Sequence, residues 1–344
     1  MSLHSEIHEQ PTVIQNLLGK QAEIARIAAE IRSIDPAYVF LAARGTSDNA
    51  GRYANYLWGA YNRLPVALAT PSLFTFYGQS PRLKGALITT VSQSGKSPDI
   101  VAVVEEGKRQ GCASLAITNA PDSPLATASD FVIDIAAGPE KAVAATKTYT
   151  AELLAMAMLS VELADDSARR ADLQKLPIWA QQVLALDEEI ARLAERFRYM
   201  EHCVVIGRGF NYATAFEWSL KMKELTYSVA EPYSSADFQH GPIAMVERGF
   251  PVFVAAPTGV ILPDMLGLLK NLRETHHAEL TVISDNAEAL ALAQSPIQLP
   301  AGIPEWLSPL IAIIPAQLFC YHLTRARGFD TEAPRTIRKV TETH

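Results

Sequence analysis

Short apolar runs that read as strands alternate with longer runs that read as helices through most of the chain. This alternation predicts an α/β fold of parallel, doubly wound, flavodoxin-like sheets flanked by helices. The pattern also repeats. "YVFLAARGTSDNAGRYANYLW" from Tyr38 returns 164 residues later as "HCVVIGRGFNYATAFEWSLKM" from His202: an apolar strand, an Arg-Gly turn, then a helix rich in aromatics. "GALITTVSQSGKSPDIVAVV" from Gly85 returns as "GFPVFVAAPTGVILPDMLGLL" from Gly249, with one extra residue before Pro263. "ASLAITN" then pairs with "LTVISD", which ends at Asp285. Three strands in one order at nearly constant spacing predict two domains built alike. The expected organisation is a helical arm over 1–33, a first domain over 34–168, a helical connector over 169–198, a second domain over 199–327 and a tail over 328–344.

Composition narrows the class. At 344 residues and 49% hydrophobic content the chain can build two cores, and its net charge of -7 offers no basic field for nucleic acid or an anionic membrane. Apolar runs such as "LSPLIAIIPAQLF" are shorter than the roughly 20 residues needed to cross a bilayer and read as core helix. The N-terminus, "MSLHSEIHEQPTVIQNLLGK", lacks the basic start and unbroken apolar centre of a signal peptide. Cys112, Cys203 and Cys320 are far apart and lie among apolar residues, as core side chains of a protein in the reducing cytoplasm would. His276 and His277 are adjacent, and neither H-E-x-x-H nor a Cys/His cluster occurs, so neither a metal nor another cofactor is expected.

The stretch "TTVSQSGKSPDI" ends a strand-like run in small hydroxyl residues and glycine. Ligands of open parallel sheets collect outside the carboxyl ends of strands, where loops enter helix N-termini. Free backbone N–H groups there favour an anion, Gly95 permits close approach, and Ser92, Ser94 and Ser97 add hydroxyl donors. Pro98 suits the first helical turn. The alternative is an ordinary loop with Ser97 as its N-cap. The repeated segment "APTGVILPD" keeps Gly259, Pro263 and Asp264 but loses the serines, so a phosphate cradle is expected in the first domain alone. Thr46 and Ser47, after the first strand, are placed to help cap it. G-x-G-x-x-G is absent, and a nucleotide is not indicated.

The run "ATAFEWSLKMKELTYSV" reads as one helix with Ala215, Trp218, Met222, Leu225 and Val229 on an apolar face. Glu217, Lys221, Glu224 and Ser228 fall on another face, which sets an acid beside an amine. That pattern also fits a solvated face with an ion pair worth about 0.3–0.5 kcal/mol. The polar loop that follows, "AEPYSSADFQHGPIAMV", carries His240, and such loops tend to carry function.

"SQSGKSPD", "AVAATKTYT", "LKMKELTYSVAEPYSSADFQHGP" and "PRTIRKVT" together resemble the double sugar-isomerase (SIS) domain proteins. The likeness is to the isomerase half of glutamine:fructose-6-phosphate amidotransferase, and it runs from about Ala37 almost to the end. The resemblance implies that Ser47, Ser92, Gln93, Ser94 and Ser97 contact the phosphosugar. It places Val143 and Ala145 against the sugar, with Ala145 standing where the synthase has serine. It implies that Glu224 moves a proton between C1 and C2, that Lys221 assists, and that His240, from the neighbouring subunit of a homodimer, opens the ring. Lys339 would close over the open-chain sugar, and Lys96 replaces a glutamate.

The chemistry suits these residue types. Aldose–ketose interconversion needs one carboxylate to lift a proton beside a carbonyl or imine and return it one carbon away. The chain opens Met1-Ser2-Leu3, without the N-terminal cysteine and glutaminase domain of the synthase, so removal of an amino group is expected rather than synthesis. The motifs look closest to SIS-type glucosamine-6-phosphate deaminases, and the resemblance implies that glucosamine 6-phosphate opens, isomerises to the imine of fructose 6-phosphate and loses ammonia to water. A fructosamine-6-phosphate deglycase, another aldose–ketose phosphosugar isomerase, and a non-catalytic phosphosugar-binding regulator are the alternatives.

Overall fold

The structure is a computed structural model that describes residues 2–339; residues 340–344 of the expected tail lie outside the described residues. The chain forms two compact units. One holds Thr12–Lys141 and Lys147–Lys175 with Arg338 and Lys339; the other holds the N-terminal residues through Pro11, Ala142–Thr146 and Leu176–Ile337. The N-terminal arm is therefore divided at Pro11 and the connector at Lys175.

In the first of these units, strands β1 (Tyr38–Ala42), β2 (Val66–Leu68), β3 (Ala86–Ser92), β4 (Ala113–Thr118) and β5 (Phe131–Asp134) form a parallel sheet in the order β2-β1-β3-β4-β5. All seven residues of β3 are buried, as expected of a central parallel strand covered on both faces. Ile100, Val103 and Val104 of the helix Pro98–Arg109 close one face over Phe40, Ile88 and Ala116. Burial of each such side chain contributes roughly 1.5–3 kcal/mol. The helix Lys147–Ala164 is buried nearly all round, which is why its sequence shows no apolar stripe. Trp58 Nε1 donates to its Met156 carbonyl at 3.2 Å.

The other unit repeats this plan with β6 (His202–Gly207), β7 (Val229–Ser234), β8 (Pro251–Ala255), β9 (Glu279–Ser284) and β10 (Ser295–Gln298). Its order, β10-β9-β8-β6-β7, is the same connectivity read from the opposite edge. The sequence repeat is thus a repeat of topology. An ion pair repeats with it: Arg44 Nε lies 2.8 Å from Asp99 Oδ2, and Arg208 Nη1 lies 2.6 Å from Asp264 Oδ2. Each pair ties the turn after its sheet's first strand to the helix that follows its third. The apolar helix Ser308–Ala326 is a core element, with 89% of its most hydrophobic window buried within the protein.

Two local expectations differ from the structure. The helix read through Val229 ends earlier: α-helix spans Tyr212–Lys221, a π turn spans Met222–Thr226, and Tyr227 at φ 58° stops it. Ser228 and Val229 leave the helix, and Val229 opens an edge strand instead of packing on an apolar face. The segment read as one polar loop contains β7 and a short helix, Ser235–Gln239, ahead of His240.

Candidate active site

In each sheet the connections leave the first and third strands in opposite directions, which opens a crevice at their carboxyl ends. Ser92 closes β3 at this point. Its Oγ accepts from Gly95 N at 3.1 Å, and Ser94 Oγ accepts from Lys96 N at 3.4 Å. Gly95 sits at φ 61°, and a Cβ there would lie 2.0 Å from Ser123 Oγ, so the turn is built for glycine. Ser97 occupies the N-cap of Pro98–Arg109, the position the ordinary-loop alternative gives it, and its hydroxyl makes no capping hydrogen bond. Gln93 and Ser94 are half-buried and Lys96 is exposed. Ser47, at the start of the helix Thr46–Asn62, donates its hydroxyl proton to Glu152 Oε1 at 2.8 Å. It therefore stands after the first strand with its donor already engaged.

The equivalent loop of the second sheet is closed by the chain's own carboxylates. Asp285 accepts from Thr258 N at 2.7 Å and Glu305 accepts from Val260 N at 2.9 Å. Those amides already hold anions, which gives a physical reason for the serines to be absent there.

The expected acid–amine face is real but not solvated. Lys221 ends the α-helical segment, with Nζ 3.3 Å from Glu217 Oε1 and hydrogen-bonded to Glu224. Glu217 and Lys221 are 0% and 2% exposed, whereas Glu224 is 25% exposed and is the member of the trio that reaches solvent. Burial pulls the Lys221 pKa down, but the two carboxylates outweigh it and hold the amine above the ordinary lysine value. The group is a fixed ammonium at neutral pH, unsuited to Schiff-base formation. The π turn carries Glu224 and is closed by Thr226 Oγ1 donating to the Met222 carbonyl at 2.7 Å. Arg327 Nη1 caps its end on the Thr226 carbonyl at 2.8 Å. Such turns are frequent at functional sites because the extra residue re-aims a side chain.

The remaining predicted residues are placed as follows. Val143 and Ala145 are half-buried in the segment Ala142–Thr146. Glu6 accepts from Ala142 N at 3.1 Å, and Gln317 Nε2 donates to the Thr146 carbonyl at 3.3 Å while its Oε1 accepts from Gln10 Nε2 at 2.8 Å. Glu6, Gln10 and Gln317 were not singled out from the sequence; the signal available was Gln317 inside an otherwise apolar helical run, whereas Glu6 and Gln10 sit among other polar residues. His240 is exposed, just beyond the helix Ser235–Gln239. Lys339 Nζ lies 2.5 Å from Glu140 Oε2, and the same buried carboxylate accepts from Thr148 Oγ1 at 2.8 Å and Thr148 N at 3.2 Å. Arg335 stacks over the Tyr227 ring at 4.5 Å, and its N–H donates to Tyr227 Oη at 2.9 Å, fixing the tail ahead of Lys339. The three cysteines are buried thiols, and burial pushes Cys203 up to about 12, so none is a ready nucleophile.

The chain matches the SIS domain family over residues 34–162 and 197–326. It is 33% identical to glutamine–fructose-6-phosphate aminotransferase (isomerizing) of a Thermus thermophilus strain over 97% of this chain and 57% of that protein. It thus spans little more than half the length of the curated relatives it matches. The C-terminal domain of glucosamine-fructose-6-phosphate aminotransferase from Francisella tularensis superposes with a TM-score of 0.88 at 28% identity, covering 96% of this chain and 98% of that one. A protein of Silicibacter pomeroyi DSS-3 described as a candidate phosphosugar isomerase superposes with a TM-score of 0.86 at 34% identity, covering 96% of this chain and all of the other. With both of its sheets matched and nearly its whole length superposed on such proteins, the chain belongs to the SIS domain family.

Proposed function

We propose that the protein is a phosphosugar isomerase that deaminates glucosamine 6-phosphate. The observation that carries this reading is the buried Glu217–Lys221 pair supporting the partly exposed carboxylate Glu224 on a π turn. Glu224 takes the proton from C2 of the open-chain amino sugar and returns it at C1, which converts the aldehyde and amine into a C2 imine. Water then adds to C2 and ammonia leaves, giving fructose 6-phosphate. The permanently charged Lys221 orients Glu224 and offsets negative charge that develops as the proton moves. Ser92, Gln93, Ser94 and Ser97 hold the phosphate at the N-terminus of Pro98–Arg109, and Val143 and Ala145 border the sugar. Lys339, drawn from the tail, covers the open chain.

The exposed position of His240 supports its delivery to a neighbouring subunit of a homodimer, where it opens the sugar ring. The choice of an amino leaving group rests on the likeness of Ser92–Asp99 and Glu140–Lys147 to SIS-type deaminases. Purified protein given glucosamine 6-phosphate is expected to release ammonia at a rate that Glu224→Gln lowers by about 10²–10⁴-fold. Equal release by the two proteins overturns the assignment of Glu224. Turnover of fructoselysine 6-phosphate in place of glucosamine 6-phosphate would move the chemistry to a deglycase.

A further inference from the structure

Three imidazoles converge on one carboxylate, that of Asp187. His4 and His8 are four apart on the helix Leu3–His8, so both rings lie on one side of it. Asp187 opens the helix Asp187–Glu195, and His322 projects from the core helix Ser308–Ala326. His4 Nε2 lies 2.7 Å and His8 Nε2 3.1 Å from Asp187 Oδ2, while His322 Nε2 lies 2.5 Å from Asp187 Oδ1. The ligand atoms of His4, Asp187 and His322 all lie within 4.8 Å of one another.

We propose that His4, His8, His322 and Asp187 form a site for a divalent transition-metal ion of the zinc class. An ion pair needs one imidazole per carboxylate, whereas three rings on one carboxylate reproduce the N3O donor set of a tetrahedral zinc centre. Bonds of 2.0–2.1 Å place tetrahedral ligand atoms about 3.3 Å apart; His4, Asp187 and His322 approach that spacing, and His8, outside that close group, joins as the fourth ligand by a larger rotation of its exposed side chain. Imidazole with carboxylate also suits nickel and copper, and availability decides among them. His4 and His8 are 35% and 36% exposed and leave an entry path, while His322 at 14% and Asp187 at 21% form the floor. The His4 ring is further positioned against Tyr321, with centroids 4.8 Å apart. Histidine spacing read along the sequence stops at the His276–His277 pair; the i, i+4 pair His4 and His8 was the signal for this one.

A bound ion would pin the first helix, whose Leu3 N donates to Glu332 at 3.1 Å and whose Glu6 holds Ala142. The site is independent of the deaminase reading. Tag-free protein is titrated with Zn²⁺ against a chromophoric chelator, with thermal unfolding recorded alongside. One ion per chain is expected, and His322→Ala and Asp187→Asn should each weaken it by at least the roughly 10–100-fold typical of losing even an outer-shell partner. Zn²⁺ should raise the unfolding temperature of the wild type but not of these variants, and a His276→Ala/His277→Ala variant should bind normally. His8→Gln, at the most exposed ligand, serves if the others fail to fold. No stoichiometric binding, or undiminished binding by His322→Ala or His8→Gln, overturns the proposal.

Discussion

Lys221 and Glu217 form an ion pair shut off from water, with Nζ 3.3 Å from Oε1 and side chains 2% and 0% exposed. Desolvating two charges costs several kcal/mol each, and it is offset only if both partners remain. Glu217 therefore supports the amine, and the amine supports Glu224. Support and chemistry are separable by mutation.

Glu217→Gln leaves a buried ammonium with one carboxylate in place of two, and should lower unfolding free energy by about 3 kcal/mol, the low end for a broken buried pair. Glu224→Gln removes the solvent-reaching carboxylate and should change stability far less, while turnover falls by about 10²–10⁴-fold. Urea midpoints and ammonia release on both variants decide it. Full activity in Glu224→Gln would remove the carboxylate from the chemistry.

The same pair fixes a pH dependence. The Lys221 pKa is higher in the folded protein than its ordinary 10.5, because Glu217 and Glu224 outweigh burial. A raised folded value means that folding favours the proton, so the stabilisation is complete below the unfolded value and is lost as pH rises through the folded one. The stability difference between wild type and Glu217→Gln should therefore stay constant from about pH 7 to 9 and narrow only above about 10.5, the unfolded lysine value. Borohydride treatment with substrate at neutral pH should leave Lys221 unmodified by peptide mass. A trapped adduct on Lys221 contradicts the fixed-ammonium assignment.

The repeat was legible because Tyr38–Ala42 and His202–Gly207, and the turns after them, keep one apolar and glycine pattern across both sheets. The serine loop was legible because its hydroxyls exceed what a connection needs. The π turn was not, since a 3.6-residue period read through Met222–Thr226 hides one inserted residue and carries the apolar face on to Val229. Nor was the burial of Glu217 and Lys221, because charges four apart on a helix have the same pattern in solvent as in a core. Glu305 and Asp285 close the second loop from 45 and 27 residues away, and His4 meets Asp187 across 183, separations that local patterning does not encode.

Two glycines should behave differently under one substitution. Alanine at Gly95 meets both a left-handed backbone and Ser123, whose Cβ would lie 2.6 Å from the new methyl. Strain of roughly 1–2 kcal/mol from the backbone alone should distort the serine loop and raise KM for the phosphosugar. Alanine at Gly259 meets Glu305, with Cδ at 2.1 Å, in the loop whose amides already hold carboxylates. Gly259→Ala should lower the unfolding temperature and leave KM near the wild-type value. An equal rise in KM for the two variants would place phosphate in both loops.

The proposed homodimer makes a prediction about mixed subunits. If each site draws Glu224 from one chain and His240 from its partner, Glu224→Gln and His240→Ala proteins are each inactive alone. A mixed dimer then contains one site with both residues intact and one with neither. Equal mixing puts half the chains into mixed dimers, so about a quarter of wild-type activity should return for a two-fold symmetric pair. Self-contained sites return none, because every site in the mixture lacks one residue. Refolding the two variants together from urea and assaying ammonia release separates the cases, and the His240→Ala protein alone sets the baseline.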